Sequence, residues 1–291
     1  MQTPPLIFDR ALLRRRLLRA SRAPVHCDFL IARAAEELAF RLAAVQRDFP
    51  RALDFCSPHP IAAEVLAAPG RAVLRAAPVG QGLAFAGAHV AADMEAAPFA
   101  EKSFDLVVSL LHLQFVNDLP GVLAQIRRML APDGLFLAAL VGGQSLRELR
   151  HCLNQAQEEI EGGASPRVAP FADLRDLGGL LQRAGLALPV TDSDSLTVRY
   201  ADAFALMRDL RQMGAANPLL AGARRPLRRD VLFRAAALYQ ENFADPDGRI
   251  RATFEILWLS GWAPHESQQK PLAPGSAKAR LSDVLGDKSA G

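Results

Sequence analysis

The sharpest alternation of hydrophobic and polar positions lies between Asp93 and Val141. SFDLVVSL, Ser103 to Leu110, is a short apolar run bounded by polar residues, which predicts a parallel strand buried on both faces. In DLPGVLAQIRRML, Val122, Ile126 and Met129 recur at helical spacing with Leu123 and Leu130 beside them, so one face packs on a sheet. Asp118 supplies a cap, Pro120 sits in the first turn where a missing N–H is harmless, and Ala131 to Gly134 end the helix. GLFLAALV is the next strand, and the three elements make a right-handed βαβ unit.

The same patterns extend in both directions. A basic amphipathic helix is predicted in FDRALLRRRLLRASRA, and a second from about Asp28 to Phe49 on the stripe Ala34, Ala35, Leu38, Leu42, Val45. RALDFC, RAVLRAA and AHVAA read as the first three strands. After the fifth strand come helices at 146–161 and 172–186, a partly alternating strand ending at Tyr200, and two inserted helices around 203–219 and 229–243. RATFEILWLSGW is the last strand, antiparallel to the others. The expected organisation is N-terminal helices over 1–50, a main domain over 51–271 with a helical cap at 201–248, and a flexible tail at 272–291.

Composition narrows the function. Half of the 291 residues are apolar, yet no run reaches the length of a membrane span, so a soluble chain is expected. The net charge is only +3, with arginines scattered among nearly as many acids, which argues against nucleic acid. Cys27, Cys56 and Cys152 are odd in number and far apart, so no disulfide framework is expected. There is no HxH, HExxH or paired-cysteine spacing, and no metal site is indicated.

The acid at Asp93, then PF, SFDLVVS, VNDLP and L-x-PDG-x-F resemble class I S-adenosylmethionine-dependent methyltransferases. Within that superfamily, GGQSLRELR, EGG-x-SPR, DLRQMGAANPL and GWAPHESQQKP resemble the methyltransferase-like assembly factors of respiratory complex I, described as arginine hydroxylases and related to the malonyl-carrier-protein methyltransferases of biotin synthesis. The resemblance runs from IFDR nearly to the C-terminal tail. It implies an α/β Rossmann-like methyltransferase sheet, mostly parallel with the last strand antiparallel, and a helical cap insertion. The implied cofactor is S-adenosylmethionine. The implied partner is a protein substrate, an arginine-bearing iron–sulfur subunit of complex I. Because IFDR aligns with the start of the family's mature domain, the expected location is bacterial cytoplasm rather than an organelle reached by import.

The resemblance places cofactor contacts at Asp54, Cys56 and Ser57 after the first strand, at Asp93 and Met94 after the third, and at Ser109 and Leu110 at the end of the fourth. His112 is the candidate general base, although Asp118 and Asn117 nearby are explained as cap and turn residues. Two departures matter. The turn Cys56–Ser57–Pro58–His59–Pro60 has no glycine, and its two prolines remove donors and fix φ where the superfamily needs backbone freedom. Ala77 stands where an acid would grip the ribose hydroxyls, a loss of ~2–3 kcal/mol of binding. Three readings stay open: an active methyltransferase, a modification or assembly factor acting on complex I, and a scaffold without cofactor.

Overall fold

The computed structural model describes residues 6–23, 28–78, 86–221 and 226–269. Cys27 and the expected flexible tail at 272–291 lie outside the described residues. Seven strands form one sheet: β1 (Arg51–Phe55), β2 (Ala72–Ala77), β3 (Ala88–Ala91), β4 (Phe104–Leu110), β5 (Leu130–Val141), β6 (Ala187–Tyr200) and β7 (Ile250–Trp262). Their order is β3-β2-β1-β4-β5-β7-β6. The first five are parallel, and β7 runs antiparallel to both β5 and β6. Strand order reverses between β1 and β4, which opens a crevice at their carboxyl ends.

Alternation along the strands sorts side chains to two faces. Ala52, Leu106, Val108, Leu137 and Ala139 face a core shared with α2 (Phe29–Ala43), α3 (Ile61–Leu66), α5 (Arg147–Glu161), α7 (Ala203–Gln212) and α8 (Arg229–Phe243). Leu53, Phe55, Val107, Phe136 and Leu140 face α4 (Leu119–Met129) and α6 (Leu174–Arg183). The last helix, α1 (Arg10–Ser21), joins a smaller cluster with Phe8, Phe115 and Leu219. Among the described residues, no helix is long and apolar enough to cross a membrane.

Two boundaries differ from those expected. Helix α2 stops at Ala43 rather than near Phe49, and Phe49, which Pro50 biases toward extension, turns inward to lie 6.3 Å from the Trp262 ring. Strand β5 starts at Leu130, not Gly134. Leu130 pairs with Phe104, the ladder then shifts, and Leu135 pairs with Leu106. The Pro-Asp-Gly signal is therefore an irregularity inside a strand, with Asp133 at φ 61°. Gly134 is required there, since a Cβ would stand 2.9 Å from the Ala131 carbonyl oxygen.

One buried interaction fixes the edge at which the strands end. Asp54 and Arg75 are opposed in the β1–β2 ladder and are 0% and 1% exposed. Arg75 Nε lies 3.3 Å from Asp54 Oδ2, and Arg75 Nη2 donates to the Ser57 carbonyl at 3.1 Å. Ser57 Oγ in turn accepts from the Leu110 N–H at 3.0 Å, tying the turn after β1 to β4. Burial pushes the Asp54 carboxyl up, against the lowering pull of Ser57 and Arg75. Arg75→Met, which strands a buried carboxyl group, should cost about 3–5 kcal/mol in urea unfolding. The double variant Asp54→Asn/Arg75→Met should recover most of that loss, because the lone charge is gone.

Candidate functional site

The turn after β1 takes an unusual backbone. Cys56 has φ 63°, in the left-handed region that favours glycine, and its N–H donates to the Ala76 carbonyl at 2.7 Å. Glycine's usual conformation is thus kept without glycine, at a cost of ~1–2 kcal/mol. The Cys56 side chain is fully buried, and burial raises its thiol pKa so far that it stays protonated. Cys56→Gly should leave stability within about 1 kcal/mol, as relieved strain offsets lost burial, whereas β-branched Cys56→Val should cost about 2 kcal/mol or more in urea unfolding.

Two adjoining cavities open along the carboxyl edge. One, about 500 Å³, is lined by Ala91, Asp93, Met94 and His112 below and by Leu13 and Leu17 of α1 above. The other, about 390 Å³, is lined by Pro58, His59, Leu111 and Gln114, with Ile31 of α2 and Met213 after α7. Leu17 and Phe115 border both. Of the residues singled out from the sequence, Asp93, Met94 and His112 come together in the first cavity. Asp54, Cys56, Ser57, Ser109 and Leu110 are all 0% exposed and form the layer beneath, while their neighbours Pro58, His59 and Leu111 make the wall.

Helix α1 is the roof, and it is fastened at several points. Arg10 forms ion pairs with Asp93 and, at 3.2 Å, with Glu95. Asn117 Oδ1 accepts from the N–H groups of Ile7 and Phe8, each at 2.8 Å, and Asn117 Nδ2 donates to the Phe8 carbonyl at 3.2 Å. The Asp9 N–H donates to the Pro218 carbonyl at 2.8 Å, and Arg16 donates to the carbonyls of Ala216 and Asn217. Gly214, at φ 72°, lets Leu17 approach closely: a Cβ would stand 3.0 Å from it. Asn117, read from the sequence as a turn residue, and the GAANPL loop are therefore anchors of the roof. Sequence reasoning missed Arg10, because an arginine at the start of a basic helix carries no mark of its partner.

The floor holds polar atoms that lack partners among the described residues: Ser109 Oγ, His112 Nδ1 and Gln114 Oε1. Burial pulls the His112 pKa down to about 4, with Asp93 opposing. The ring is therefore neutral at pH 7, a hydrogen-bonding group and a weak base. A folded state that refuses a proton the unfolded chain accepts near 6.5 loses stability as pH falls. The His112 contribution should fall between pH 6.5 and about 4, opposite in sign to that of the buried Asp54 carboxyl, so His112→Phe should gain stability relative to the wild type as pH falls through that range in urea unfolding. Among the described residues, no group of three or more His, Cys, Asp or Glu is placed to hold a metal ion.

The sheet order and the cleft at its carboxyl edge define a class I methyltransferase-type protein. Residues 64–138 match the family described as "Methyltransferase domain". The YcgJ protein of Bacillus subtilis has the same fold, with TM-score 0.54 at 13% identity over 80% of this chain and 99% of that one. The "Arginine-hydroxylase NDUFAF5, mitochondrial" of Mus musculus is 40% identical over 96% of this chain and 85% of its own length. Its Danio rerio counterpart is 45% identical over 67% of this chain, a match that spans 60% of that protein. A malonyl-[acyl-carrier protein] O-methyltransferase of Halorhodospira halophila is 37% identical over 68% of this chain and 64% of its length. The chain belongs to the NDUFAF5 family. The expected cytoplasmic location is overturned by these relatives, since those aligned along almost the whole chain are named as mitochondrial.

Proposed function

We propose that this chain is an S-adenosylmethionine-binding member of the NDUFAF5 family that modifies an arginine side chain on a protein partner, a subunit of respiratory complex I. The observation that carries the reading is the roofed cleft at the strand-order reversal, with Asp93, Met94 and His112 on one wall. These residues suit an adenosine group. The Asp93 carboxylate accepts from an exocyclic amino group, Met94 offers an apolar flank, and the neutral His112 ring has an uncommitted nitrogen. The methionine end would extend toward Pro58 and Gln114, and Leu17 and Phe115 would exclude water. When bound, the group supplies an electrophilic methyl on a sulfonium centre. Ala77 ends β2 where a ribose-gripping acid is expected, so the adenine end carries more of the binding.

A second reading, a scaffold that works without cofactor, is favoured by one contact: Arg10 already occupies the Asp93 carboxylate. Calorimetric titration with S-adenosylhomocysteine separates the two. Under the first reading the wild type binds, Asp93→Ala weakens binding roughly tenfold or more, and Arg10→Ala tightens it by freeing the carboxylate. Absence of binding in both the wild type and Arg10→Ala would establish the scaffold.

A further inference from the structure

Most arginines of α1 are sorted by helical angle into those used within the fold and those facing away from it, with Arg14 between the two sets at the border of the first cavity. With about 100° per residue, Leu13, Leu17 and Ala20 lie on one stripe, and Arg15, Arg19 and Arg22 repeat the same spacing about 200° away. The first stripe borders the cavities. Arg10 and Arg16 flank it and are bound to Asp93, Glu95 and the 216–217 carbonyls. Arg15, Arg19 and Arg22 are exposed, and no described carboxylate forms an ion pair with them.

Several other surface arginines are neutralised. Arg33 meets Glu36 and Asp194, Arg41 meets Glu37 and Asp192, Arg199 meets Asp245 and Asp247, and Arg234 meets Glu159 and Glu241. Asp9, the acid that caps α1, accepts from the Leu12 N–H at 2.8 Å and forms no ion pair with these three. Like charges at i and i+4 weaken a helix, and Arg16 is held below its usual range by burial and then by Arg19 and Arg15. The C-terminal tail offers no remedy, because Asp283 and Asp287 are outnumbered there by Lys270, Lys278, Arg280 and Lys288.

We propose that the Arg15–Arg19–Arg22 stripe docks an acidic, extended segment of the protein partner on the face of α1 turned away from the cleft. The inference rests on the proposed function only for the partner's being a protein substrate. Three cations about 4.5–6 Å apart along the helix axis, on long flexible side chains, can reach acids at alternate positions of an extended chain, about 6.8 Å apart. A lipid surface fits less well, since the apolar stripe that would insert is turned inward onto the cleft.

The test uses the full chain with and without Arg15→Gln/Arg19→Gln/Arg22→Gln, changes that preserve helix propensity. Binding is followed by fluorescence anisotropy of a short peptide with a central arginine and glutamates at alternate positions. Vesicles of phosphatidylcholine with one third phosphatidylglycerol serve as the lipid arm. The wild type should bind the peptide with an affinity that falls steeply with salt, and the triple variant should bind about tenfold more weakly or worse. S-adenosylhomocysteine titration should be the same for both proteins, which separates this inference from the cofactor reading. Equal peptide binding by the variant, no peptide binding by the wild type, or binding to vesicles alone would overturn it.

Discussion

The buried pairing of Asp54 with Arg75 sets the shape of the working edge. An ion pair removed from water is costly, and it persists here because Arg75 also holds the Ser57 carbonyl while Ser57 holds the Leu110 N–H. These links fasten the turn after β1 to β2 and β4 together. A glycine loop would expose backbone amides to a ligand, whereas this turn is fastened from behind and presents proline rings and His59 to the cavity. The wall is poor in donors, and the polar groups along the two cavities include Asp93, His112 and Gln114.

The roof completes the site from the opposite end of the chain. Asn117 follows β4, and the 214–219 loop belongs to the insertion between β6 and β7, yet both bind the first turn of α1 or the residues just before it. Displacing α1 therefore disturbs both the cavity above Asp93 and the insertion. Arg10 adds a direct connection, because the carboxylate that suits an adenine amino group is the one it pairs with.

Much of the sheet was legible because its strands are short apolar runs between polar turns, and the βαβ unit over 103–141 was marked by cap, proline and helical spacing. The Pro-Asp-Gly segment misled, since a turn signal inside a strand differs from one between elements only in its long-range pairing with Phe104. The site was legible in part. Asp93, Met94 and His112 lie at strand ends and came with the pattern of the fold. Arg10, Asn117 and the 214–219 anchors depend on contacts between residues 83 or more positions apart, which no local spacing encodes. The left-handed backbone of Cys56 was hidden for a related reason: the chain keeps the conformation and changes the residue.

The adenosine group is proposed to sit in the cleft beneath α1. Amide hydrogen exchange with and without saturating S-adenosylhomocysteine addresses this directly. Added protection is expected at 91–95 and 111–117 and altered exchange in residues 10–21, with little change on α5 and α8. Unchanged exchange at those three segments, with the ligand shown to bind, would contradict it.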